Sequence, residues 1–262
     1  MTEVGHETML TTEARNFLKH MDVFLEDSGN TAGKPGVLSR LAIARPLRAG
    51  NPEELLHEVF DIRQHGIRYV TVRRQQVFRI GEDVLKDVLS DFGIQISSIG
   101  FAGGFTGTLG MTYDDVITDA HCAIRMAHDV GARSLVLLTG HQGLHIYNHA
   151  ERTVQEGIEI CRRLAMDYGI RLLVAANSVL GCRRDNFRPR TSPLLWTQQF
   201  CGPELQTMIV VRAGERLPDG WRDVIACGGC LRICHKCESY PEHTDLLNRI
   251  ISFLSRRNDL AD

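Results

Sequence analysis

Four cysteines crowd into one short segment of the 262-residue chain, Cys227-Gly-Gly-Cys230-Leu-Arg-Ile-Cys234-His-Lys-Cys237. Thiolates are the ligands that zinc and iron–sulfur clusters select, and the glycines let backbone N–H groups turn toward sulfur. The spacing therefore admits zinc or an iron–sulfur cluster held by Cys227, Cys230, Cys234 and Cys237. Two Cys-x-x-Cys turns so close together converge poorly on one tetrahedral ion. If residues 231–234 are extended, Cys230 and Cys234 share a face and serve as small buried hydrophobes; a redox dithiol is the third reading.

Two further sets of polar residues follow apolar runs. Gly140-His141-Gln142-Gly143-Leu144-His145 comes after the run 134–138, and at the end of a barrel strand such side chains face the mouth. There His141 and His145 are candidates to bind a substrate hydroxyl or phosphate, against the plainer reading of a loop with exposed imidazoles. Arg73, followed by Arg74, closes another apolar run, and a guanidinium offers paired donors to a phosphate or carboxylate. With Arg212 and the loop arginines Arg183, Arg184, Arg188 and Arg190, one face becomes basic and suits a small anionic or sugar ligand. The glycine-rich stretch 102–107 lacks the Gly-Lys-Ser/Thr ending of a phosphate loop. Its expected role is close backbone approach to a ligand, or a simple cover.

The elements that must position these residues alternate. Residues 37–44, 67–72, 94–99, 134–138, 171–175, 206–211 and 231–234 read as strands, and 52–65, 83–92, 114–130, 153–168 and 246–254 as helices. Asn51 is placed to cap the first of these helices, with Pro52 at its first position. Gly66, Gly93, Gly131 and Gly169 each follow a helical run, where a left-handed glycine ends a helix. Strands and helices at this pitch predict an α/β fold, a (β/α) TIM-like barrel with its pocket at the C-terminal strand ends. About seven strands are legible, one short of closure, so the barrel reads as incomplete or divergent in its C-terminal third.

Residues 12–26 place Phe17, Leu18, Met21, Phe24 and Leu25 at helical spacing and predict an extra N-terminal helix. A turn-rich linker follows, which divides the chain into residues 1–36 and a barrel over 37–262. The helix either covers the barrel bottom or packs on a partner subunit, and the second case makes a homo-oligomer. A net charge of −2 and a pI near 6.6 give no bulk attraction to nucleic acid or to an anionic membrane. The polar start and the lack of a long apolar run predict a cytoplasmic chain with reduced cysteines.

Four stretches in order carry a resemblance. Gly66-Ile67-Arg68-Tyr69-Val70, Ile96-Ser97-Ser98 with Ala102-Gly103-Gly104-Phe105-Thr106-Gly107, Gly131-Ala132-Arg133-Ser134-Leu135-Val136-Leu137 and Gly169-Ile170-Arg171-Leu172 resemble the xylose-isomerase-like family of barrels. That family holds sugar phosphate isomerases and epimerases and is related to endonuclease IV. The resemblance implies a divalent metal at the strand ends, bound by glutamate, aspartate and histidine, which polarises substrate oxygens. It places Ala175 where the first metal glutamate stands and Arg212 in place of an aspartate. His235 and Glu238 approximate the family's His-x-x-Asp motif, with glutamate in place of the aspartate, and are the surviving acid/base or metal candidates that the resemblance implies.

Two expectations of different class follow. One is a sugar phosphate isomerase/epimerase-like protein, acting on or binding a small sugar or sugar phosphate, with a degraded metal site. The other is a non-catalytic ligand-binding or regulatory barrel, with zinc or an iron–sulfur cluster open at its cysteines. A repair nuclease would need many more zinc ligands than the family match leaves.

Overall fold

A computed structural model describes residues 20–25, 41–64, 66–106, 111–140, 145–175, 199, 204–212, 221–226 and 229–234. Eight strands close into a barrel in sequence order. They are β1 (His20–Leu25), β2 (Leu41–Pro46), β3 (Tyr69–Arg73), β4 (Gln95–Gly103), β5 (Ser134–Leu138), β6 (Arg171–Ala175), β7 (Leu205–Arg212) and β8 (Cys230–Cys234). Strands β2 to β8 run parallel, each paired with the next. Strand β1 is antiparallel to both β2 and β8 and closes the ring. The fold is a divergent (β/α) TIM-like barrel.

The seven parallel strands are the seven legible in the sequence. The eighth corrects the expected N-terminal helix, because residues 20–25 are strand β1 and not helical. Met21, Phe24 and Leu25 satisfy a helical period, but a short apolar run does not settle the period by itself. Pairing on both edges, Asp22 with Ala44 and with Arg232, decides in favour of the strand. The boundary after residue 36 therefore does not separate β1 from the barrel.

Among the described residues six helices flank the strands: α1 (Pro52–Gln64), α2 (Arg74–Ile80), α3 (Glu82–Asp91), α4 (Tyr113–Asp129), α5 (Tyr147–Tyr168) and α6 (Trp221–Ala226); the expected helix over 246–254 lies outside them. Their ends follow local chemistry. The Asn51 side chain accepts from the Glu54 N–H at 2.9 Å, and Thr112 caps α4 in a reciprocal box with Asp115. Gly66, Gly93, Gly131 and Gly169 all have positive φ, between 64° and 72°. A residue with a Cβ is strained in that conformation, so these four stops are built into the sequence.

Helices α2 and α6 were not expected, whereas α1 falls on the expected run 52–65. Helix α2 is held by Gln76, which accepts from the Arg73 N–H and donates to the Leu47 and Ala49 carbonyls at 2.9 and 3.0 Å. Helix α1 is tied to β2 by Arg45, buried against Asp61 at 3.2 Å and Glu58 at 3.6 Å. Burial lowers Arg45 to about 10, opposed by Glu58 and Asp61, so it stays charged near neutrality.

The apolar core has two main layers. The larger lies between strands and helices and includes Val72, Ile99, Leu135, Leu137 and Val174 from the strands, with Ile124 and Ile158 from α4 and α5. The smaller fills the barrel interior with Val136, Leu173, Ala175, Met208 and Cys230, flanked by Phe101, Leu138 and Val210. Alternation along each strand sends successive residues to one layer or the other.

Candidate functional site

Among the described residues, a charged pair is buried in the barrel interior. Asp22 on β1 and Arg232 on β8 are register partners, and both are buried, at 2% and 6% exposure. The Arg232 Nε donates to Asp22 Oδ1 and its Nη2 to Oδ2, each at 2.7 Å. The guanidinium carbon lies 5.7 Å from the Phe101 ring centre. This two-pronged geometry is the one in which a buried ion pair best offsets its desolvation.

Cys230 is two residues from Arg232 on the same face and packs into the interior cluster. Burial pushes its thiol well above its ordinary range, and the neighbouring Asp22 carboxylate pushes it further the same way. With the apolar cluster on one side and the Asp22 carboxylate near it, the thiol form is the favoured one. Cys234 ends β8. Cys227 and Cys237 lie outside the described residues, as do His235, Glu238 and His141. No group of three or more His, Cys, Asp or Glu converges among the described residues.

At the mouth, Arg73 ends β3 with an exposed side chain and Arg212 ends β7. Arg74 does not share the anion-binding role expected beside Arg73. Its guanidinium is bound to both Asp119 oxygens at 2.7 Å and to the Phe101 carbonyl at 3.2 Å. Its charge holds α2 against α4.

His145 lies on the wall of a cleft instead of over the barrel axis. The cleft, about 420 Å³, is lined by Phe105 and Thr106 after β4, Tyr113 at the start of α4, and His145, His149, Thr153 and Glu156 before and along α5. His145 Nε2 donates to the Thr106 carbonyl at 3.0 Å. Its ring lies 5.2 Å from that of His149. The Phe105 ring, 1% exposed, forms the floor by packing on Gly157, where an added Cβ would come within 2.2 Å of it.

Among the described residues the buried Tyr113 hydroxyl has no hydrogen-bond partner. Such a group costs about 1–3 kcal/mol. Burial first, then the charge of Glu156, raises its pKa, so it remains a phenol.

No protein-family model matches the sequence, and no curated protein matches it. Solved structures do match it in shape. Protein SMc04130 from Sinorhizobium meliloti 1021 is 24% identical over 60% of this chain and 58% of that one, with a TM-score of 0.50. A xylose isomerase-like TIM barrel/4-hydroxyphenylpyruvate dioxygenase fusion protein is 14% identical over 72% of this chain and 29% of that one, at 0.51. The chain has the xylose-isomerase-like barrel fold. An L-ribulose 3-epimerase shares it at 14% identity and a TM-score of 0.50, over 62% of this chain and 56% of that one. The chain thus spans less than two thirds of the length of each of these structures.

In this xylose-isomerase-like barrel the described residues do not fit a divalent cation where the resemblance places one. Ala175 ends β6 at 1% exposure among Val136, Leu173, Met208 and Cys230. A hard cation needs several oxygen ligands, and this surrounding is apolar. Among the described residues, a cation buried in the interior is the guanidinium of Arg232.

Sequence reasoning missed Asp22, Arg232, Tyr113, His149 and Glu156. A signal existed for the first two: each is a lone charge inside a short apolar run, Met21-Asp22-Val23 and Leu231-Arg232-Ile233, with opposite signs. The cleft residues had no such signal, because their meeting depends on how α4 and α5 pack.

Proposed function

We propose that this chain is a sugar phosphate isomerase/epimerase-like barrel that binds a small sugar or sugar phosphate at the C-terminal strand ends, with a degraded divalent-metal site. The observation that carries the reading is Ala175, closed in an apolar cluster at the end of β6 where the family's first metal glutamate would stand. The shared fold with a structure described as an L-ribulose 3-epimerase supports the ligand class. Arg73 and Arg212, ending β3 and β7, are the candidate contacts for an anionic group at the mouth. His235 and Glu238 remain the acid/base candidates of this reading.

The second reading is a non-catalytic ligand-binding or regulatory barrel, and the buried Asp22–Arg232 pair favours it. A permanent guanidinium in the interior supplies positive charge but no open coordination position for a substrate oxygen. A zinc or iron–sulfur site at Cys227, Cys230, Cys234 and Cys237 would need the Cys230 thiol to leave its cluster and ionise, which its burial opposes.

The test joins elemental analysis of anaerobically purified protein with ketose epimerisation assays, run with and without added manganese, magnesium or cobalt. No stoichiometric metal, thermal stabilisation by sugar phosphates and no turnover support the degraded-site reading. Metal-dependent epimerisation would overturn it. Zinc or iron lost on replacing Cys230 and Cys234 would move the chemistry to the cysteine segment.

A further inference from the structure

The outer seam between α1 and α3 carries apolar side chains that the barrel core does not absorb. On α1, Leu55, Val59 and Ile62 turn to the core, while Glu58 and Asp61 turn to Arg45 on β2. Leu56 and Phe60, one helical turn apart, therefore share the opposite flank, the one that faces α3. They are 50% and 57% exposed.

Helix α1 packs along α3. On α3, Leu85 and Leu89 are buried, and the edge toward α1 carries Val84, 39% exposed, one turn before the half-buried Val88. Single apolar residues scattered over a surface need no occupant. Paired ones at helical spacing on two neighbouring helices make a continuous groove, and such a patch with a polar rim marks an interaction surface. The 13 residues of α1 run about 20 Å, long enough to lay a second helix along the seam and seat its apolar face on residues one turn apart.

The rim sets the charge of the occupant. Glu53, Glu54, Glu82, Asp83, Asp87 and Asp91 are exposed on the two helices, against the basic Arg63 and Lys86. The whole chain carries only −2, so negative charge is concentrated on this face. It repels an acidic peptide or an anionic lipid surface and steers a cationic partner toward the groove. A second copy docking seam to seam would set two acidic rims against each other.

We propose that the seam between α1 and α3 is a docking groove for a basic amphipathic helix of a partner protein, with Leu56, Phe60 and Val84 receiving its apolar face and the carboxylate rim its lysines or arginines. The groove lies outside the strands and shares no residue with the strand ends, so it does not depend on the reading of the barrel mouth.

The test is fluorescence anisotropy of the full chain with labelled model peptides: a helix with leucines on one face and lysines on the other, the same pattern with glutamates for lysines, and the lysine peptide with its order scrambled. Saturable binding of the lysine helix is expected, weakening as salt rises toward about 1 M. Phe60→Ser, at a position exposed to solvent, should weaken it about tenfold, as loss of an aromatic anchor does. Glu53→Gln combined with Asp91→Asn should weaken it at low salt and leave the high-salt affinity unchanged. No saturable binding of the lysine helix, equal binding of the glutamate or scrambled peptide, or Phe60→Ser without effect would each overturn the proposal. So would a dimer in sedimentation equilibrium that Phe60→Ser dissociates, which gives the seam to a second copy, or binding to phosphatidylcholine vesicles that Phe60→Ser abolishes, which gives it to a lipid surface.

Discussion

Asp22 and Arg232 join the first and last strands of the barrel through two parallel 2.7 Å hydrogen bonds, with both side chains buried. The two residues are 210 positions apart in the chain. β1 is the one reversed strand of the barrel, and this pair pins its register at the point of closure.

Removing one partner leaves an uncompensated buried charge, which costs about 3–5 kcal/mol. Asp22→Ala and Arg232→Met are each expected to lose stability on that scale in urea unfolding. The double variant Asp22→Leu/Arg232→Met should lose far less than the sum, because an apolar pair of similar volume needs no desolvation. Strictly additive losses would show that the two side chains do not act as a pair.

The thiols should divide by burial. Cys122 is exposed, whereas Cys161 and Cys230 are buried. Burial pushes the Cys161 thiol up to about 12 and the Cys230 thiol well above its usual range. Since the thiolate is the nucleophile, maleimide labelling of folded protein near pH 8 is expected to modify Cys122 and spare the other two until denaturant is added. Early labelling of Cys230 would place it outside the interior cluster and reopen its role as a metal ligand.

What the sequence disclosed and what it hid follow the range of the forces involved. The helix stops at Gly66, Gly93, Gly131 and Gly169 and the cap at Asn51 are local, and all are found in the structure. The seven parallel strands are legible because a parallel strand buried on both faces is a compact apolar run. Strand β1 was hidden because its pattern Met21, Phe24, Leu25 satisfies a helical period too, and only contacts with β2 and β8 resolve the ambiguity. The fate of Arg74 was equally invisible, since its partner Asp119 lies 45 residues away. Sequence placed His145 correctly after a strand, but its partner Thr106 and the surrounding cleft come from the packing of α4 and α5.

A pH effect is expected at Glu159 on α5. The hydrogen bond from Arg162 is the largest cause that lowers its pKa to about 2, from an ordinary 4.5, with Arg163 adding to it. The folded value lies below the unfolded one, so the stabilisation is complete above about pH 4.5 and disappears as the pH falls toward 2. The carboxylate is a third exposed, and solvent screening holds such pairs to about 0.3–0.5 kcal/mol each. Glu159→Gln should therefore be slightly less stable than the parent at neutral pH and indistinguishable near pH 2. A difference that persists at pH 2 would assign the loss to packing instead of charge.

Ala175 gives the sharpest test of the proposal that the metal site is degraded. Glutamate at this position restores the residue type that the family resemblance calls for, but within an apolar cluster of Val136, Leu173, Met208 and Cys230. An unpaired carboxylate there should cost about 3–5 kcal/mol, or protonate to avoid the charge. A cation bound only by the folded state adds stability as its concentration exceeds Kd, about 2.7 kcal/mol at a hundredfold excess. Ala175→Glu is thus expected to unfold at lower urea with no recovery in manganese or magnesium. Recovery by metal would mean that residues beyond β6 still converge on this point, with only the first glutamate missing. Absence of recovery, with the parent protein equally indifferent to metal, would fix the interior as a packed core closed by Asp22 and Arg232, and leave any ligand to the mouth.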